Sequence, residues 1–263
     1  MNIGVSTSCY YPMLTEESLK QIGKSGIKTA EIFFNALCEL ESDFVNELKN
    51  IADYYGINVV SIHPTMSLSE SFMLFSAYKR RYTEGINWYK RYAEIAAMFG
   101  AKYIIMHGGK PNKVLNDTEY IYEFLKVAET VEQNGAVLLQ ENVVNFRAGS
   151  LEFLKKFKEI SGEKSGICLD IKQAIRGGYS PFDVLSAVGD KVKHIHISDS
   201  TKSNDCLLPG NGEFDFENLF CSANECGFNG NFIIEVYEDA YNNYGEIKSS
   251  YDVLNKKYLK TNK

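Results

Sequence analysis

The sequence predicts an α/β fold, a (β/α)8 TIM barrel built as one domain over residues 1–263. Three observations carry that expectation. The length of 263 residues is close to the roughly 250 residues typical of such a barrel. Eight short apolar segments each lead into a helical stretch. A glycine repeatedly closes the helical stretch just before the next apolar run, which is the punctuation of repeated βα units.

The strand candidates are Ile3–Thr7, Thr29–Phe33, Asn58–Ile62, Tyr103–Met106, Ala136–Gln140, Gly166–Leu169, Lys193–Ile197 and Phe232–Glu235. Most are near-continuous apolar or β-branched runs, the pattern of parallel strands covered on both sides. The first helix opens at Thr15-Glu16-Glu17-Ser18 with early acids that suit the helix dipole, and it ends near Gly26. The second runs from about Ser42 to Tyr55 and stops at Gly56. A third extends from about Lys79 to Phe99 and stops at Gly100. The fourth starts near Asn116 and ends at Gly135, and the fifth lies between Gly149 and Gly162. The polar tail Lys256–Lys263 is expected to fray.

Alternation of this kind also fits an open doubly wound sheet. Residues 7–12, Thr-Ser-Cys-Tyr-Tyr-Pro, cannot form the glycine turn that cradles a pyrophosphate in that fold. No P-loop is present either, so the closed barrel is favoured.

Six cysteines include no C-x-x-C pair, and Cys168 sits inside an apolar run as a small core residue. With no leader-like N-terminus, reduced thiols and a cytoplasmic location are expected. No apolar run is long enough to span a bilayer. The net charge of −6 weighs against nucleic acid as a partner, because phosphate backbones are bound mainly by basic surfaces. The one basic run, Lys79-Arg80-Arg81, reads as a solvated helix face.

The polar residues concentrate where a barrel does chemistry. Of four histidines, His63, His107 and His196 fall at or just past the end of a strand candidate, while His194 sits deeper and is assigned a structural role. Glu141 follows AVLLQ, Asp170 follows GICL, and Glu235 follows NFII. An acid at the end of an apolar strand is costly to bury unless it is paired or bound to a cation. The like charges of three such acids converging on one barrel mouth would repel, and a divalent cation resolves the conflict. The oxygen-rich set Glu141, Asp170, His196 and Glu235 suits Mn²⁺, Mg²⁺, Co²⁺ or Zn²⁺. Lys110, Arg147, Lys172 and Lys202 lie in strand-end loops and could meet an anionic substrate, but each is expected to face solvent.

Five stretches, LLQEN (138–142), CLDIKQA (168–174), HIHISDS (194–200), LLPGNGEFDF (207–216) and FIIEVY (232–237), resemble those of the xylose isomerase-like TIM-barrel superfamily of sugar isomerases and epimerases, which also contains endonuclease IV. The resemblance covers nearly the whole chain. It places the family's metal ligands on Glu141, Asp170, His196 and Glu235, with Glu141 and Glu235 also the acid/base pair. It implies an isomerase or epimerase acting on a small sugar or sugar phosphate, by proton abstraction next to a carbonyl through an enediolate. Two alternatives are an endonuclease IV-like phosphodiesterase and an inosose-type dehydratase or isomerase. A third is a barrel that binds a sugar or metal without catalysis. Gln173 stands where the family commonly has a histidine, and is assigned to a sugar hydroxyl. Asn204 and Cys206 stand at the Asp-x-His pair of endonuclease IV, so the third metal of that centre is not expected. His63 and His107 match its ligands for another ion, so they are assigned to substrate binding or, with Glu141, to a second metal. Barrels of this superfamily often pair, and a homo-oligomer is an expectation.

Overall fold

The computed structural model describes residues 2–64 and 67–261. Eight parallel strands close on themselves in chain order: β1 (Asn2–Ser6), β2 (Thr29–Phe33), β3 (Asn58–His63), β4 (Tyr103–Met106), β5 (Val137–Glu141), β6 (Ser165–Asp170), β7 (Val192–Ile197) and β8 (Asn231–Ile234). The last strand returns to the first, with Asn2 opposite Asn231 and Val5 opposite Ile234. Each strand lies within one residue of its expected bounds. The expected (β/α)8 barrel is therefore the observed fold.

The helices are α1 (Thr15–Lys24), α2 (Ser42–Tyr55), α3 (Ser67–Met73), α4 (Lys79–Phe99), α5 (Asp117–Glu132), α6 (Leu151–Ser161), α7 (Ile171–Arg176), α8 (Pro181–Val188), α9 (Phe216–Glu225) and α10 (Tyr244–Thr261). Local chemistry sets their ends. Asn116 accepts the N–H of Glu119 at 3.1 Å, and the Glu119 carboxylate accepts the N–H of Asn116 at 2.8 Å, a reciprocal cap that opens α5. Gly56 closes α2 at φ +62°, the left-handed conformation that glycine adopts without a Cβ penalty. None of the helices among the described residues is long and apolar enough to cross a membrane.

The tail differs from expectation. Residues up to Thr261 are helical, and only the last two residues of the tail lie outside the described part. Leu254 is fully buried, and the Tyr258 ring packs 5.2 Å from Phe220 and 6.1 Å from Phe232. An apolar stripe of three- and four-residue spacing, Ile247, Tyr251, Leu254 and Tyr258, runs along α10 into the lysine-rich tail, and its packing outweighs end fraying.

Side-chain alternation divides each strand between two environments. Val5, Ile32, Ile62, Ile104, Leu138, Ile195 and Phe232 belong to the main core with the helices. Tyr103, Ile105, Leu139 and Cys168 form a second, smaller cluster inside the barrel. Glu31, Ser61, His63, His107, Glu141, Asp170, His194, His196 and Glu235 share this second parity. The inner wall therefore has an apolar patch on β4 to β6 and a polar column leading to the mouth.

Candidate metal centre

Glu141 closes β5, Asp170 closes β6, His196 is the penultimate residue of β7, and Glu235 follows β8 directly. Asp170 and His196 are register partners on adjacent strands. His196 Nδ1 lies 3.3 Å from Glu141 Oε1, 3.4 Å from Glu235 Oε2 and 3.8 Å from Asp170 Oδ2. One ligand atom from each of the four residues falls within 4.8 Å of the others. Donor atoms around an octahedral ion with bonds of about 2.1 Å would stand roughly 3 Å apart when adjacent and about 4.2 Å when opposite. The spacing fits that demand.

A second observation supports the fit. Glu141 Oε2 is buried and accepts no well-aligned hydrogen bond, although His107 Nε2 is 2.8 Å away and His63 Nε2 is 3.6 Å away. In the metal-free chain a charged His107 is the cation nearest this oxygen, and an entering metal ion would take that place. The structure thus gathers all six histidines and acids expected at the mouth. They form three overlapping groups, Glu141–Asp170–His196–Glu235, His63–His107–Glu141 and His63–His196–Glu235.

The backbone around these groups is locked. Asn142 accepts the Asp170 N–H at 2.6 Å and donates to the Asp170 carbonyl at 3.0 Å, tying β5 to β6. Asp170 Oδ1 also accepts the Gln173 N–H at 2.9 Å and so caps α7. Gln173 itself lines the mouth, but its carboxamide oxygen accepts the Val144 N–H at 3.0 Å. That oxygen is spent inside the protein, on the loop after β5. Beside His107, Gly108 donates to Glu70 Oε2 at 2.6 Å, and the Tyr89 hydroxyl donates to Glu70 Oε1 at 2.5 Å.

Two expectations about cations are corrected. Lys172 does not face solvent: its side chain is 3% exposed, touches Asp170 Oδ2, and lies 2.6 Å from Glu235 Oε2. The cost of burying an ammonium is offset by two acids. Arg147 is also buried, with Nη1 donating to Asp117 and Nη2 to the Leu115 carbonyl at 2.5 Å. Lys110 and Lys202 are exposed as expected, as are Lys79, Arg80 and Arg81.

Glu31 was not anticipated. It lies in the middle of β2, fully buried, where Oε2 accepts the Ser61 hydroxyl at 2.7 Å. The same oxygen is 3.2 Å from both His194 Nε2 and His196 Nε2. His196 is thereby held from behind by a carboxylate while Nδ1 faces the acids. Such a partner fixes the tautomer and ring orientation of a metal-binding imidazole. His194, deeper in the strand, shares the Glu31 oxygen with His196.

Charges in the centre depend on one another. Burial works against ionised Glu141, yet His107, His196 and His63 hold its carboxyl well below the usual range. Burial likewise opposes ionised Glu235, but Lys172 and His196 bring it down to about 2. Burial raises Asp170 to about 6 despite Lys172. Burial disfavours a charged His107, but Glu141 pushes its pKa up to about 9.

Above the centre opens a cavity of about 610 Å³, onto which Glu141, Glu235, His107, Lys172 and Gln173 face. Phe33, Phe146, Tyr11 and Tyr237 supply aromatic walls. The loop after β7 is pinned beside it. Asp199 accepts the N–H groups of Gly210, Gly212 and Phe214 at 2.8, 3.0 and 2.9 Å, which orders the Pro209–Gly212 turn.

Solved structures with this architecture include a D-tagatose 3-epimerase-like protein, at 22% identity and TM-score 0.81, with 100% of this chain and 98% of that chain covered. A D-psicose 3-epimerase from Clostridium cellulolyticum H10 is 14% identical with TM-score 0.80, covering 98% of this chain and 99% of that one. An L-ribulose 3-epimerase is 16% identical with TM-score 0.80, covering 100% and 96%. No curated protein matches the sequence. The model of the xylose isomerase-like TIM barrel matches residues 19–257. The chain belongs to the xylose isomerase-like TIM-barrel family.

Proposed function

We propose that this chain is a divalent-metal-dependent epimerase or isomerase of a small ketose, with epimerisation at C3 the leading reaction. The observation that carries this reading is the pair Glu141 and Glu235. They stand at the ends of β5 and β8, share a cluster with Asp170 and His196, and both face the cavity. The solved structures of similar fold described as ketose 3-epimerases support it.

Asp170 and His196 would hold the ion, with Glu141 and Glu235 completing its coordination. Mn²⁺, Mg²⁺, Co²⁺ or Zn²⁺ would supply positive charge to a carbonyl oxygen and so favour loss of the neighbouring proton. Glu141 and Glu235 approach the cavity from different strands. One removes the proton to leave an enediolate, and the other, having taken up a proton from solvent, delivers it to the opposite face. Positioned proton transfer of this kind contributes roughly 10²–10⁴-fold. His107 and His63 back Glu141, and a second ion on these three residues belongs to the same reading. The aromatic walls would pack against sugar carbons and exclude water.

A free sugar is favoured over a sugar phosphate. Lys172 is the only lysine or arginine among the described lining residues, and its ammonium is engaged by Asp170 and Glu235. The test is a panel of ketoses and ketose phosphates incubated with Mn²⁺ in D₂O. Deuterium should enter one substrate carbon, and both Glu141→Gln and Glu235→Gln should reduce incorporation at least about 100-fold. Efficient nicking of abasic-site DNA that is lost in Glu141→Gln, with no deuterium incorporation from any sugar, would replace this reading by phosphodiester hydrolysis.

A further inference from the structure

The buried lysine in the middle of the acids calls for its own explanation. Lys172 follows Asp170 by two residues, at the start of α7, and its side chain turns back into the barrel mouth. The ammonium touches Asp170 Oδ2 and lies 2.6 Å from Glu235 Oε2. Those same oxygens face His196 Nδ1 at 3.8 and 3.4 Å. The Tyr237 ring, 5.7 Å from Nζ, stands beside it toward the mouth. A surface lysine that strayed inward would keep its head in water. This one gives up its hydration for two carboxylates of the candidate centre.

Charge counting says what that does. Glu141, Asp170 and Glu235 together carry three negative charges when ionised. Lys172 cancels one, and the rest falls to the neighbouring imidazoles and to a divalent ion. We propose that the Lys172 ammonium is a resident cation of the centre, sharing Asp170 and Glu235 with one divalent ion and holding the site together before the ion arrives. This rests on the metal-dependent reading above. It follows that affinity is sacrificed: an entering ion meets a fixed positive charge, and it must share oxygens that already accept hydrogen bonds. The filled centre then carries one negative charge fewer when an electron-rich enediolate forms beside it.

The test is Mn²⁺ titration of the metal-stripped, full-length protein by calorimetry, comparing wild type, Lys172→Met, Lys172→Gln and Glu141→Gln. Removing the ammonium should tighten Mn²⁺ binding about tenfold or more, because a like charge in a partly desolvated site is removed. The metal-free lysine variants should also unfold at a lower temperature than wild type, and saturating Mn²⁺ should raise their midpoint by more degrees. Should either variant require metal to fold, its affinity is read by competition with a chelator. Wild type that binds Mn²⁺, with both lysine variants binding it equally or more weakly, overturns the role of Lys172 and leaves the metal-dependent reading standing. Absence of Mn²⁺ binding in wild type and in every variant overturns that reading, and this proposal with it.

Discussion

Glu31 touches no part of the cavity, so its substitution asks whether the polar column beneath the centre serves the centre. Glu31→Gln keeps the shape and removes the charge. In the native chain one oxygen, Oε2, accepts from Ser61 at 2.7 Å and faces both His194 and His196 at 3.2 Å. A carboxamide can offer one oxygen in that position, but it no longer favours a proton on His196 Nε2. The other ring nitrogen, Nδ1, is then less firmly presented to the acids, and a ligand tautomer that was fixed becomes one of two. Loss of such an outer partner typically costs 10–100-fold in metal affinity, or about 1.4–2.7 kcal/mol. Calorimetric Mn²⁺ titration of Glu31→Gln should show a dissociation constant raised by that factor, with stoichiometry unchanged. Thermal unfolding of the metal-free variant separates this from a folding defect. Binding within twofold of wild type, in a variant that folds normally, refutes the claim that Glu31 orients His196. Loss of binding in Glu31→Gln together with normal binding in Glu235→Gln would move the ion down to Glu31, His194 and His196, which also form a compact group of donors.

Two further perturbations probe the mouth. Gly108 has φ +86°, and an added Cβ would stand 2.1 Å from the Tyr120 hydroxyl, which itself donates to Gln140 at 2.7 Å; Gly108→Ala should cost at least about 1–3 kcal/mol of stability by urea unfolding and lower turnover by displacing His107. An unchanged urea midpoint would show that the loop after β4 relaxes freely. The pH dependence of the metal-stripped protein is the other. Its paired His107 has a pKa raised from 6.5 to about 9, so the stability from that pairing is complete below about pH 6.5 and lost as pH rises through 9. The melting temperature should fall between pH 7 and 9.5, a window above the Asp170 value of about 6. The slope should be smaller in His107→Gln, leaving the part that the raised His196 contributes. A midpoint that is flat or rising in wild type over that window contradicts the His107–Glu141 ion pair.

The barrel was legible because eight buried strands read as apolar runs and the glycines that close helices mark their starts. Errors of one residue at strand ends did no harm there. At the mouth they could have, since one residue of slip reverses which face a side chain takes. Glu141, Asp170, His196 and Glu235 survived this because each is an acid or imidazole abutting a run that must be buried, and chemistry named them without register. The α10 tail was misread for the opposite reason. Its composition is that of a solvated end, and the half-buried Tyr258 packs on the Phe220 and Phe232 surface that only the closed barrel presents.

The burial of Glu31 and of Lys172 escaped because each depends at least in part on a partner distant in the chain. Glu31 lies 165 residues from His196, and Lys172 lies 63 from Glu235. A signal for Glu31 was nonetheless present. An acid in the interior of the run Thr29–Phe33 cannot be buried alone, and His194, set aside as structural, was a second deep polar residue that needed a partner. Both are inward-facing by the alternation of their strands, and the imidazole and the carboxylate answer each other's need. Lys172 gave a weaker signal, since two residues beyond a strand end a lysine ordinarily finds water. What distinguishes it is that three acids already crowd the mouth, so one more positive charge lowers the energy of the unfilled site. The same excess of negative charge that argues for a metal argues for a cation supplied by the chain. The titration of Lys172→Met separates the two, because a chain-supplied cation opposes metal binding, whereas a lysine that merely packs nearby leaves it unchanged.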